Sequence, residues 1–153
     1  GLDTIPMIFK KPIAAIITPL GYIQTFNDKY ISITKHHYFN GRKLKAKEIF
    51  ERELGFLLDS KHFKEKGVTL KEPSIDEITE FALEALDRFV IKKIDNADDF
   101  QNEFRLKFKE YLNYSKENDQ YYNETHKNGN ILHPEIIKGF FGSNYSFKNN
   151  FFD

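Results

Sequence analysis

Cysteine is absent from this chain of 153 residues. That excludes a disulfide framework and any thiolate metal site, and it fits a reducing, cytoplasmic setting. Net charge is absent as well, with 23 Lys and Arg against 23 Asp and Glu. No global field draws the chain to nucleic acid or to an anionic membrane, so anion binding must come from a local cluster. No apolar run approaches the roughly 18 residues of a membrane span. The first residues lack the basic, apolar and small-residue order of a signal peptide. No G-x-G-x-x-G marks a dinucleotide site. His37, His62, His126 and His133 show no ligand pair three or four apart beside an acid, so no metal is expected.

What the chain does hold is aromatic: 16 Phe and 8 Tyr, together with many Lys and Asn. That mixture reads as an AT-rich coding bias and says little about function. Three N-x-S/T triplets, at Asn113, Asn123 and Asn144, are expected by chance in so Asn-rich a chain.

Local patterns divide the chain into elements. "DTIPMIFK" (3–10) reads as a short helix, with Asp3 or Thr4 as cap and Pro6 in the first turn, where its missing N–H costs nothing. "KPIAAIIT" is a continuous apolar run between prolines, the signature of a strand buried on both faces in a parallel sheet. Residues 19–45 read as a long irregular connection, with turns at "FNDKY" and "FNGRK" and a short strand at "YISITK". Helices are expected over 45–54, stopped by Gly55, and over 56–67. "VTLKEP" (68–73) reads as a strand.

The clearest helix is 74–93. Ser74 and Glu77 form a capping box after Pro73, and Ile75, Ile78, Ala82, Leu86 and Phe89 make one apolar face. Residues 98–118 form another helix, ridged by Phe100, Phe104 and Phe108. A final short helix with an aromatic tail follows "HKNGNI". Tyr121, Tyr122, Phe151 and Phe152 are expected either to dock on another domain or to lie exposed. Alternation of strands and helices implies right-handed crossovers and a parallel sheet.

In order and spacing, "GLDTIPMIFKKPIAAIITPLG", "ISITKHHYFNGRKLKAKEIF", "GVTLKEPSIDEITEFALEALDRF" and "ILHPEIIKGFFGSNYSFKNNFF" resemble the C-terminal half of a bacterial glycosyltransferase family. The matching pieces are Thr34-Lys35, "LKAKEIF", "SIDEI" and "GFFGSN". The chain departs from the family at Glu72-Pro73, where the family has Glu-Asn, and it lacks the serine-rich loop except for Gly1 as its last residue.

The resemblance implies a GT-B glycosyltransferase, whose C-terminal Rossmann-like domain holds a nucleoside-diphosphate sugar across a cleft from an acceptor-binding N-terminal domain. The fold class expected is therefore α/β, a partial Rossmann-like domain with a small parallel sheet and a helical C-terminal tail. Residues 1–95 would be the donor-binding portion and 96–153 an extension packed on it, forming one compact domain truncated at its N-terminus. Such a piece should be inactive alone. No cofactor, nucleic acid or membrane span is implied.

Seven residues are candidates for the donor's phosphates and ribose. Gly1, Asp3 and Thr4 sit where a strand end would meet a helix N-terminus, a natural anion site; the plainer reading is an ordinary helix start. Lys35 follows "YISIT" and can meet the charge developing on a leaving diphosphate. His36, Arg42 and Lys43 can assist, Arg42 by bidentate contact; the plainer reading is a solvated basic loop. Glu72, at the carboxyl end of a strand, can accept hydrogen bonds from ribose hydroxyls; otherwise it is a loop acid. Catalytic residues are not identified. Two other readings compete: a non-enzymatic α/β interaction module, and a fragment of another Rossmann-type enzyme such as an epimerase or methyltransferase.

Overall fold

The computed structural model describes residues 4–23, 28–94, 98–126 and 138–152. Gly1 and Asp3 lie outside the described residues, as does the side chain of Thr4.

Two three-stranded sheets share one long strand path. The first sheet is parallel, with β1 (Ile13–Ile17) and β6 (Phe140–Phe141) flanking a central β2 (Tyr30–Thr34). Ile13 pairs with Tyr30 and Ile31 with Phe140. After the single residue Lys35, the chain runs straight on as β3 (His36–Phe39) into a second, antiparallel sheet. There β3 lies between β4 (Arg42–Lys43) and β5 (Val68–Lys71). The β3–β4 hairpin turns on Asn40 and Gly41, both with positive φ (49° and 77°), the backbone a two-residue turn demands.

Three sequence expectations change here. The strand buried along its whole length is β2, whereas β1 is an edge strand only half buried. A short apolar run does not say whether it has neighbours on both sides; β2 buries Ser32 and Thr34 because it does. Within the supposed irregular stretch 19–45, β2 is the strand expected at "YISITK", but the part that follows it also folds, as β3 and β4. It escapes an apolar-pattern reading because its buried residues include His36 and His37. The strand at 68–71 pairs antiparallel to β3 and is not part of the parallel sheet.

Helices cover both faces of the parallel sheet. Phe140 and Phe141 point to opposite faces, as successive strand residues must. Phe140 meets Phe89, which follows α4 (Ile75–Leu86), at 5.9 Å. Phe141 meets Phe104 of α5 (Asp99–Asn118) at 5.5 Å. Gln101 of α5 bonds the backbone of Phe141 in both directions, Nε2 to O at 2.8 Å and N to Oε1 at 3.0 Å. Edge strand β6 is thereby satisfied on its outer side. The remaining α-helices are α1 (Thr4–Ile8), α2 (Ala46–Glu51), α3 (Ser60–Glu65), α6 (Gln120–His126) and α7 (Ser143–Asn149), while Asp87–Ile91 continues α4 as a π-helical turn and Leu20–Tyr22 forms a 3-10 turn.

Helix α4 starts as expected, with the Ser74 hydroxyl accepting from Glu77 N and the Glu77 carboxylate from Ser74 N. Its burial is the reverse of the expected face. Glu77, Phe81, Glu84 and Ala85 are buried, while Ile75, Ile78, Leu83 and Leu86 are exposed. The inward carboxylates are tolerated because each has partners: Glu77 bonds His36 and Asn149, and Glu84 bonds Ser143 and Arg88.

The aromatic tail is also corrected. Phe151, Phe152 and Tyr122 are buried within this chain. Phe151 lies parallel to Phe141 at 5.4 Å, and Phe152 packs edge-on to it at 4.9 Å.

Candidate functional site

Just beyond the carboxyl end of β2, a cavity of about 440 Å³ opens between the second sheet and the ends of α4 and α7. The β3–β5 register pairs His36 with Lys71. Extended by one residue, it sets Lys35 opposite Glu72, and their side chains meet at 2.5 Å. Both remain partly open to solvent. The same ladder aligns Tyr38 with Lys43. His36, Tyr38, Lys43 and Lys71 therefore share one face and line the cavity. Lys148, from α7, completes the basic lining, opposed by Glu72, Asp76 and Glu77.

The cavity wall is held by a buried polar network. His36 Nε2 lies 3.0 Å from Glu77 Oε2, and its Nδ1 lies 3.1 Å from the Tyr145 hydroxyl. Tyr145 OH also donates to the Thr34 carbonyl at 2.8 Å. Burial pushes the Glu77 carboxyl up, but hydrogen bonds from His36, Ser74 and Asn149 outweigh it and hold the group at about 2. Glu77 is thus a carboxylate, and His36 presents an N–H at Nε2 to it. Burial, with Glu77 and Tyr38 nearby, pushes the Tyr145 hydroxyl well up, so it keeps its proton. With both ring nitrogens engaged, His36 is tied into the wall and positions Glu77 and Tyr145.

The lysines are differently placed. Lys43 Nζ donates to Asn149 Oδ1 at 2.6 Å, and burial lowers its pKa. Lys71 sits 4.5 Å above the Tyr38 ring, and Lys148 pairs with Glu80 at 2.9 Å. Arg42 does not join them. It grips Glu48 through both guanidinium nitrogens, one at 2.9 Å. That pairing is the main reason Glu48 is held at about 2.

Of the seven sequence candidates, His36 and Glu72 line the cavity, Lys35 reaches its edge through the ion pair with Glu72, and Arg42 turns away. Thr4 opens α1. Lys71, Lys148, Asn149 and Tyr145 were not anticipated. Lys71 follows from the ladder once β3 is known to be a strand; the α7 residues carry no sequence signal for this position.

The other helix start near the carboxyl edge of the sheet is already occupied. Ser143 N donates to both Glu84 oxygens (2.9 and 3.1 Å), and Ser143 Oγ donates to Oε1 at 2.7 Å. Glu84 is buried and also takes a bond from Arg88 at 3.3 Å. The N-terminal charge of α7 is therefore met by the chain's own carboxylate.

Fold and cavity define a mixed α/β protein with a small parallel sheet, C-terminal helices and a lysine-lined groove. No protein-family model matches the chain, and neither a curated protein nor a solved structure matches it. Among the described residues no group of three or more His, Asp or Glu is placed to hold a metal ion, and no helix is long and apolar enough to cross a membrane.

Proposed function

We propose that the chain is the nucleotide-sugar-binding part of a GT-B-like glycosyltransferase, with the Lys35–Glu72 groove as its donor seat. The observation that carries this reading is the convergence of Lys35 and Glu72 at the carboxyl end of the parallel sheet, where open α/β sheets take their ligands. On binding, the partly exposed ion pair opens. Lys35, aided by Lys43 and Lys71, meets the diphosphate as a set of point charges. Glu72 accepts from the ribose hydroxyls. In the transfer step the bond from the anomeric carbon to the diphosphate oxygen breaks and a bond to the acceptor oxygen forms. Lys35 then faces the departing negative charge, the place where a fixed cation lowers the barrier most.

Calorimetric titration with UDP, GDP, ADP and CMP tests this. A nucleoside diphosphate should bind, and Lys35→Ala should weaken it by about tenfold, the loss of one charge-assisted contact. Lys61→Ala, on the far helix α3, should leave it unchanged. No binding by any of the four nucleotides sinks the reading.

One observation favours a second reading, an interaction module. Helix α4 turns Ile75, Ile78, Leu83 and Leu86 to solvent in one row, and such a row on a folded surface marks a contact with another protein. On this reading Leu83→Glu with Leu86→Glu abolishes concentration-dependent association in sedimentation without lowering the unfolding midpoint.

A further inference from the structure

At the opposite end of the parallel sheet, two short segments of the same design border one groove. Residues 8–12 read Ile-Phe-Lys-Lys-Pro and residues 90–94 read Val-Ile-Lys-Lys-Ile. In each, two apolar side chains precede two lysines, and all of these are exposed. Ile8, Phe9 and Val90 are 71%, 68% and 66% exposed, and Ile91 is 47%. A groove of about 450 Å³ joins the segments at the amino ends of β1 and β2, lined by Pro12, Asp28, Lys29, Phe89, Lys92 and Ile94. Lys29 Nζ donates to the Lys10 carbonyl at 3.1 Å, tying the first segment to the start of β2. Arg88 also borders the groove, but it is buried and paired with Glu84 and Asp98. Asp28 is the one carboxylate among the described residues lining it.

We infer that this end of the molecule is a docking surface for an anionic phospholipid bilayer. In a chain of zero net charge, the exposed Lys10, Lys11, Lys92 and Lys93 concentrate positive charge at one place, complementary to lipid phosphates. Exposed Ile8, Phe9, Val90 and Ile91 beside them enter the boundary between head groups and acyl chains, and the lysine stems extend back to the phosphate level. A nucleic acid would use the lysines but leaves three aliphatic side chains in water. Docking by the amino ends of the strands leaves the Lys35–Glu72 groove, at their carboxyl ends, facing away from the bilayer.

The chain has no tryptophan, so Phe9→Trp supplies a single reporter. Vesicles of phosphatidylcholine with phosphatidylglycerol should shift its emission to the blue, and pure phosphatidylcholine vesicles should bind at least tenfold more weakly. Added in that background, Lys10→Glu with Lys92→Glu should lower the affinity by tenfold or more, the loss expected when surface cations are reversed at an anionic membrane. Lys61→Glu with Lys64→Glu on α3 should leave it unchanged. Circular dichroism confirms that each variant is folded, and co-flotation of the unaltered chain with the same vesicles, lost at high salt, confirms that the reporter has not created the affinity. The inference is overturned by equal binding to both vesicle types, by an unshifted emission, by equal sensitivity to the α3 changes, by failure of the unaltered chain to float, or by tighter binding to a single-stranded oligonucleotide.

Discussion

At the scale of single residues, the two adjacent histidines have opposite fates. His36 faces the cavity with both ring nitrogens bonded. His37 points the other way, toward Phe63 at 5.6 Å. Its Nδ1 lies 2.9 Å from the Lys35 carbonyl, and its buried Nε2 has no partner among the described residues. Burial pulls its pKa down to about 4. The unfolded chain takes up this proton near 6.5 and the folded chain only near 4, so the unfolded state binds more protons between those values. Stability therefore falls as pH drops from 6.5 to 4, by about 3 kcal/mol in all. Denaturant titrations at pH 7, 5.5 and 4 should show that slope, and His37→Leu should remove most of it. An unchanged slope in the variant would assign the acid sensitivity to other groups.

At the scale of elements, α4 is the informative case. Its buried side meets the sheet through Phe81, whose ring would stand 3.2 Å from a β-carbon at Gly142. Its apolar row faces out. Leu83→Gln should accordingly change stability by no more than about 0.5 kcal/mol. Phe81→Ala should cost about 3–5 kcal/mol by leaving a cavity over β6. Comparable losses in the two variants, read from chemical unfolding, would mean that the helix is turned the other way in solution. Gly142 belongs to the same contact. A β-carbon there would stand 2.6 Å from Ile33 Cγ2, so β6 can pass to α7 this close to β2 only with glycine at the turn.

At the scale of the whole molecule, the last described residues close the core. Phe151 and Phe152 cover Phe141, and the Phe151 carbonyl accepts from Ala46 N at 2.8 Å at the start of α2. Lys107 Nζ, from α5, donates to the Phe152 carbonyl at 3.0 Å. One short segment thus joins the parallel sheet, α2 and α5. Phe151→Ala should cost about 3–5 kcal/mol, and unfolding should stay a single transition because these parts share that contact. A loss below about 1 kcal/mol would show that the tail packs only loosely on the rest.

How much of this was legible in the sequence depends on how local each cause is. Ser74 and Glu77 announce the start of α4, Asn40-Gly41 announces a turn, and Asp98 caps α5 through Gln101 N. These are interactions between residues a few positions apart, so local spacing alone determines them. The absence of cysteine and of net charge likewise follows from composition alone. Lys35, His36 and Glu72 could be picked out by residue type, but not the ladder that sets Lys35 against Glu72. That ladder, the outward face of α4, the central place of β2 and the groove shared by the two lysine segments were decided by tertiary structure. Each depends on which neighbours a residue meets across the fold. Apolar periodicity reports that a face is greasy, while the side it turns to is set by partners such as Arg88, Ser143 and Asn149 that make buried carboxylates affordable on α4.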